Sequence, residues 1–186
     1  GYKNLLNIIS RAYMNHKENA YVDIEQLYKN KEGLLVLSGG NNSILKYSNG
    51  NSITSQSASF VADFKKEFID NFYIEIQRIE GNDYRIDEEV ILNLAYDNNI
   101  PVVATNDVYF EGPDHFEAHD ALMCIEKKLF VSQKDRKRLS KNHYFKSQNE
   151  MQELFSDIPE ALFNTIEIAQ RCSHRPKIKM PVLPSY

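Results

Sequence analysis

Three short runs of apolar and β-branched residues, each closed by turn-forming residues, constrain this chain more than any other feature. Leu34-Leu35-Val36-Leu37 follows Gly33 and ends in Ser38-Gly39-Gly40. Phe72-Tyr73-Ile74-Glu75-Ile76-Gln77 alternates aromatic and β-branched residues, and Pro101-Val102-Val103-Ala104-Thr105 ends at Asn106-Asp107. Short runs of this character, bounded by Gly, Ser and Asn, read as strands, and near-continuous apolar ones suit a sheet covered on both faces. Around them the apolar residues take a helical spacing. Leu5, Ile8, Ile9 and Ala12 mark a helix over roughly 3–15, and Phe60, Val61, Phe64 and Phe68 mark a second. Val90, Ile91, Leu94 and Ala95 form a third helical face, after Asp87-Glu88-Glu89 at the end where the helix dipole favours acids. Strands alternating with helices of this length give βα units and a parallel sheet. Three clear strands are too few to close a barrel.

The remainder divides simply. Residues 38–57 are rich in Asn, Ser and Gly and predict a long loop, with one helical turn at Ile44-Leu45. Ala118, Ala121, Leu122 and Ile125 share a helix face after the start signal Gly112-Pro113-Asp114. Ser147-Gln148-Asn149-Glu150 fits a capping box, and Asp157-Ile158-Pro159-Glu160 fits a second, with proline in the first turn. A last helix on Leu162, Ile166 and Ala169 should stop near Cys172. The tail from Arg175 to Tyr186 carries three prolines without period and reads as a linker.

Composition excludes several classes. Hydrophobic residues at 42% supply a core that a disordered tail lacks. No apolar run approaches the roughly 20 residues of a membrane span, and the first residues lack the cleavage site of a signal peptide. Cys124 and Cys172 have no CxxC partner and read as two buried free thiols suited to a reducing cytoplasm. The net charge of −4 argues against a general nucleic-acid binder, yet residues 127–146 carry +7, leaving −11 elsewhere. In that stretch Lys134, Arg136, Lys137, Arg138 and Lys141 are the candidate nucleic-acid contacts; a solvated loop, or pairing with acids such as Glu150 and Glu153, is the plainer reading. P-loop, GxSxG and GxGxxG motifs are missing. His115 and His119 have a zinc-compatible spacing without an HExxH pattern, so His115 reads as exposed and His119 as hydrogen-bonded within a helix layer. Glu75 and Arg78 read as a buried charge pair.

Several segments go further than periodicity. GYKNLLNIISRAY, GLLVLSGG, FYIEIQR, IPVVATNDVYF, FEAHDALMCI, YFKSQNEMQELFSDIPEALFNTIEIAQRC and the final PVLP resemble, in this order, the DNA polymerase III alpha subunits, the family-C replicative DNA polymerases of bacteria. The resemblance falls in the C-terminal part of their PHP (polymerase and histidinol phosphatase) domain, covering 1–174, with 175–186 leading towards the palm domain. It implies part of a distorted (β/α)7 barrel, with parallel strands, outer helices and a site at the strands' C-terminal ends. Metal-binding PHP members place a Cys in an SGC turn and an Asp and His in N-D-x-H within this half. Here those positions hold Gly40, Asp107 and Tyr109. Glycine offers no ligand atom, and a phenol with a pKa near 10 is a poor one, so a metal-free site follows from the resemblance. Asp107 is then either a remnant ligand or a cap for the turn after its strand.

The resemblance implies a parent that is a cytoplasmic DNA-directed DNA polymerase using magnesium, with the polymerase carboxylates outside this chain. It implies a non-catalytic scaffold contacting the rest of the alpha subunit and the proofreading exonuclease subunit, without catalytic residues or cofactor in this piece. Self-association of the piece is expected from cut sheet edges. A metal-dependent phosphoesterase or 3'-5' exonuclease, or a free-standing histidinol-phosphatase-like enzyme, are the alternatives.

Overall fold

The computed structural model describes residues 1–15, 20–40, 45, 54–79, 85–136 and 138–181. The expected turn at Ile44, most of the 38–57 loop and Lys137 lie outside them. The chain forms two units, one of residues 1–34 with 166–186 and one of residues 35–165.

In the first unit, α1 spans Tyr2–Asn15, close to the predicted range. Asn4 Nδ2 donates to the Glu32 carbonyl at 2.9 Å, and Tyr2 stacks on His174 at 5.5 Å between ring centroids. A short α2, Ile24–Lys29, was not legible in the sequence; it buries no residue and so leaves no apolar period.

The second unit is built on a parallel sheet of β1 (Val36–Leu37), β2 (Phe72–Gln77) and β3 (Val102–Thr105), in that order. Val36 pairs with Phe72 and Leu37 with Tyr73; Ile74 through Gln77 pair with Val102 through Thr105. Parallel neighbours cannot be joined by a tight hairpin, and each connection here carries a helix: α3 (Ser55–Phe68) between β1 and β2, α4 (Arg85–Asp97) between β2 and β3. The α/β expectation therefore holds for a three-stranded parallel sheet with helices. Thr54 caps α3 by accepting from the Ser57 amide at 3.1 Å, so the helix starts inside the stretch read as loop.

Period two divides β2 between two environments. Phe72, Ile74 and Ile76 are buried, with the Phe72 ring 5.5 Å from Phe64 of α3. Val61, Phe64 and Phe68 of α3 are buried in the same core, each burial contributing about 1.5–3 kcal/mol. Tyr73 on the alternate set is also buried, whereas Glu75 and Gln77 are only half-buried. Beyond β3 come a 3-10 turn at Pro113–His115, α5 (Phe116–Lys127), α6 (Gln148–Leu154) and α7 (Pro159–Arg171). Ser147 and Glu150 form the full capping box predicted for α6. The second predicted box does not use Asp157 as a cap, because its carboxylate is taken by Arg78. Ile69 and Lys128 follow α3 and α5 with φ of 52° and 54°.

Arg78 corrects a sequence reading. Residues 75 and 78 are an odd number apart and leave a strand in opposite directions, so Glu75 cannot be the partner of Arg78. The guanidinium instead donates to Glu88 of α4 (Nη2 at 2.5 Å, Nε at 2.9 Å), to Asp157 at 2.5 Å and 2.7 Å, and to the Leu154 carbonyl at 2.5 Å. It also lies 4.8 Å from the centre of the Phe155 ring. Its pKa is raised, chiefly by hydrogen bonding to Asp157 and then to Glu88, and Asp157 is held below its ordinary range by Arg78.

Candidate functional site

The C-terminal ends of the three strands gather polar side chains. After β1, Ser38 accepts the Glu75 amide on its hydroxyl at 3.0 Å and donates its own amide to the Tyr73 carbonyl at 2.9 Å. The chain then turns through Gly39 at φ 82°, a conformation glycine adopts without strain. Gly40 follows against β2: a Cβ built there would lie 1.9 Å from the Gln77 amide carbon and oxygen. The Gln77 amide donates to Glu75 Oε1 at 3.1 Å, and Thr105 Oγ1 at the end of β3 donates to the same oxygen at 2.5 Å. A side chain at position 40 therefore competes with Gln77 for one space.

The turn after β3 forms a second group. Asn106 donates to the Tyr144 carbonyl at 2.8 Å and accepts from the buried Lys146 ammonium at 3.4 Å. Asp107 Oδ2 lies 3.9 Å from Nε2 of the buried His143, rather than capping the next turn. The other ring nitrogen of His143 is 3.1 Å from the Ser140 amide and 2.9 Å from its hydroxyl. Tyr109 is exposed, its ring packed edge-on to His119 and His143 at centroid distances of 5.7 Å and 5.8 Å. His119 also contacts Phe110, so ring packing takes the place of the expected hydrogen bond, while His115 is exposed as anticipated. Among the described residues, no three His, Cys, Asp or Glu side chains converge to hold a metal ion.

Sequence reasoning named Gly40, Asp107 and Tyr109 but missed His143, Gln77 and Thr105. His143 stands 36 residues from Asp107, and no motif spacing links them. Gln77 and Thr105 were within reach: parallel pairing of FYIEIQ with VVAT places them opposite each other.

The basic stretch is less open than its composition suggests. Arg136 forms a two-pronged pair with Asp120 of α5, both bonds 2.5 Å, with side-chain exposures of 4% and 2%. Arg138 adds ion pairs with Asp120 and Glu117 at 3.2 Å and 3.7 Å and covers the Phe116 ring. These cations hold the Asp120 carboxyl near a pKa of about 2, through hydrogen bonding from Arg136 above all. Lys146 is buried, donating to the Asn142 carbonyl. Arg136 and Arg138 engage the acids of α5, while Glu150 accepts from Ser147 and Tyr144, which together with a smaller contribution from Lys146 lower its pKa. Lys134 and Lys141 are exposed.

Comparison with known proteins sets the class first. Residues 1–79 match the PHP domain family model, and the α/β fold is consistent with that domain. Along its whole length the chain is 39% identical to the DNA polymerase III subunit alpha of Caulobacter vibrioides, 36% to that of Pasteurella multocida and 34% to that of Rickettsia bellii. The chain belongs to the DNA polymerase III alpha subunit family. It spans 16% of the length of these relatives. Among the described residues, no helix is long and apolar enough to cross a membrane.

Proposed function

We propose that this chain is a non-catalytic, metal-free scaffold segment of the PHP domain in a replicative DNA polymerase. Residues 1–174 form the C-terminal portion of that domain, part of a distorted (β/α)7 barrel, and 175–186 lead towards the palm. The parent is a cytoplasmic DNA-directed DNA polymerase whose nucleotidyl transfer uses magnesium on carboxylates outside this segment. The rest of the alpha subunit, the proofreading exonuclease subunit and DNA are its partners. Of the five candidate contacts, Lys134 and Lys141, with Arg138 in part, are left to meet phosphates; Lys137 is outside the described residues, and Arg136 is committed to Asp120.

The observation that carries the scaffold reading is the strand-end packing. Where metal-binding relatives present a thiolate, Gly40 has none, and the space its side chain would take holds the Gln77 amide. Asp107 faces His143, and the phenol of Tyr109 is a weak ligand at neutral pH. These residues do not fit a phosphoesterase metal centre. A barrel that loses its ligands keeps its packing, because fold and site are separable. Elemental analysis of the purified full-length subunit, its polymerase magnesium removed by dialysis, tests this for zinc and manganese. A ratio far below one is expected. A ratio near one that Asp107→Ala abolishes would overturn the proposal.

A further inference from the structure

We propose that the turn after α5 is a stacking site for single-stranded nucleic acid, with a base on the Phe130 ring and neighbouring phosphates at Lys127, Lys128 and Lys134. The inference rests on the nucleic-acid reading of the basic stretch and names the strand type and the contact. Phe130 is 75% exposed, although nothing in the sequence obliges a phenylalanine to stand in water there. The backbone holds it out. Lys128 ends α5 in the left-handed conformation, and the Leu129 amide donates to the Cys124 carbonyl at 2.9 Å. The Phe130 amide then donates to the Gln133 side chain at 2.7 Å, while the Gln133 amide returns to the Phe130 carbonyl at 3.1 Å. Arg136, clamped to Asp120, donates to the Val131 carbonyl at 3.2 Å and ties the turn to the body of α5.

With the backbone of the turn fixed in this way, only the two side-chain torsions of Phe130 remain to be ordered on binding, and that preorganisation favours a flat ligand. Lys127, Lys128 and Lys134 are all exposed within the same eight residues, which hold no acid, with exposed Glu126 and Asp135 flanking them. Charge complementarity therefore selects a polyanion with apolar faces. A single strand offers both, because every base has a π-face, whereas duplex DNA keeps its bases stacked inside. Exposed Ile125 and Val131 beside the turn would suit an apolar peptide as well, and that occupant is separated by the test.

The experiment uses the full-length alpha subunit with labelled oligothymidylate. A photoreactive phenylalanine analogue at position 130 should crosslink to the oligonucleotide. Phe130→Ala and Phe130→Leu should each weaken binding about five-fold or more, and Phe130→Trp should retain it. Lys127→Glu, Lys128→Glu and Lys134→Glu should each lower the salt slope by about 0.7. If the charge reversals act but the Phe130 variants do not, stacking is overturned and the basic-surface reading survives. If neither acts, both fall. Crosslinking to protein, with Phe130→Leu binding as the parent does, would assign the turn to an apolar peptide and overturn the proposal.

Discussion

Arg78→Met should destabilise the fold by about 3–5 kcal/mol, most of it through one neighbour. Glu88, Asp157 and the Leu154 carbonyl all accept from the guanidinium, but they differ in what remains when it goes. Glu88 is 10% exposed in its side chain, so its carboxylate would be left charged and buried; removing one partner of a buried pair typically costs about 3–5 kcal/mol. Asp157 is 63% exposed and would simply rehydrate, for at most about 1 kcal/mol. The Leu154 carbonyl adds about 1 kcal/mol or less where water reaches it. Asp157 exerts the larger influence on the Arg78 pKa, yet its exposure screens that influence, and burial makes Glu88 the costlier loss. Arg78→Met with Glu88→Gln removes the stranded charge and should recover at least about 2 kcal/mol, whereas Arg78→Met with Asp157→Asn should recover almost none. Urea unfolding of these three variants, of the Glu88→Gln and Asp157→Asn single variants and of the parent gives both coupling energies. Equal couplings, or a loss below about 1 kcal/mol for Arg78→Met alone, would refute the burial argument.

Acid should expose the second clamp. The folded-state pKa of Asp120 is depressed to about 2 from 3.8, so its contribution is present above pH 4 and is lost as pH falls towards 2. Asp120→Asn should lower stability at pH 7 and flatten the acid limb between pH 4 and 2, read by circular dichroism; an unchanged limb would count against the clamp. Ile69→Gly should stabilise by about 1 kcal/mol in thermal unfolding, since a 61% exposed β-branched residue at φ 52° gives up strain and little packing. Light scattering of the isolated piece should show association rising with concentration, driven by unpaired sheet edges, and a strict monomer would contradict it.

Much of the fold was legible because β2 and β3 carry apolar runs that end sharply. Phe72–Gln77 matches its predicted range and α3 buries its apolar face. By contrast, α5 buries Phe116, Asp120 and Cys124 and leaves the predicted Leu122 and Ile125 exposed, and Cys172, read as buried, is exposed. What failed had a common origin: burial of charge leaves no mark on composition. Arg136 and Lys146 counted towards a positive surface, yet one faces Asp120 across sixteen residues of sequence and the other is packed on Tyr144. The Glu75–Arg78 pairing ignored strand parity. At the candidate site, the resemblance located Gly40, Asp107 and Tyr109, but Gln77 and His143 required a register and a loop path that local pattern does not encode.

The Asp120–Arg136 clamp also bears on how such a loop can be exchanged. Its shape is written in two places, on a helix and sixteen residues later, and neither half is meaningful alone. Grafting residues 129–141 from a relative onto this scaffold would strand an aspartate inside the protein unless the incoming loop brings an arginine of the same reach. Lysine would not serve, since a single ammonium cannot meet both carboxylate oxygens in the forked geometry. Helix α5 and the turn beyond it are therefore inherited as one cassette, and chimeras cut between them should fail where chimeras cut before Phe116 succeed.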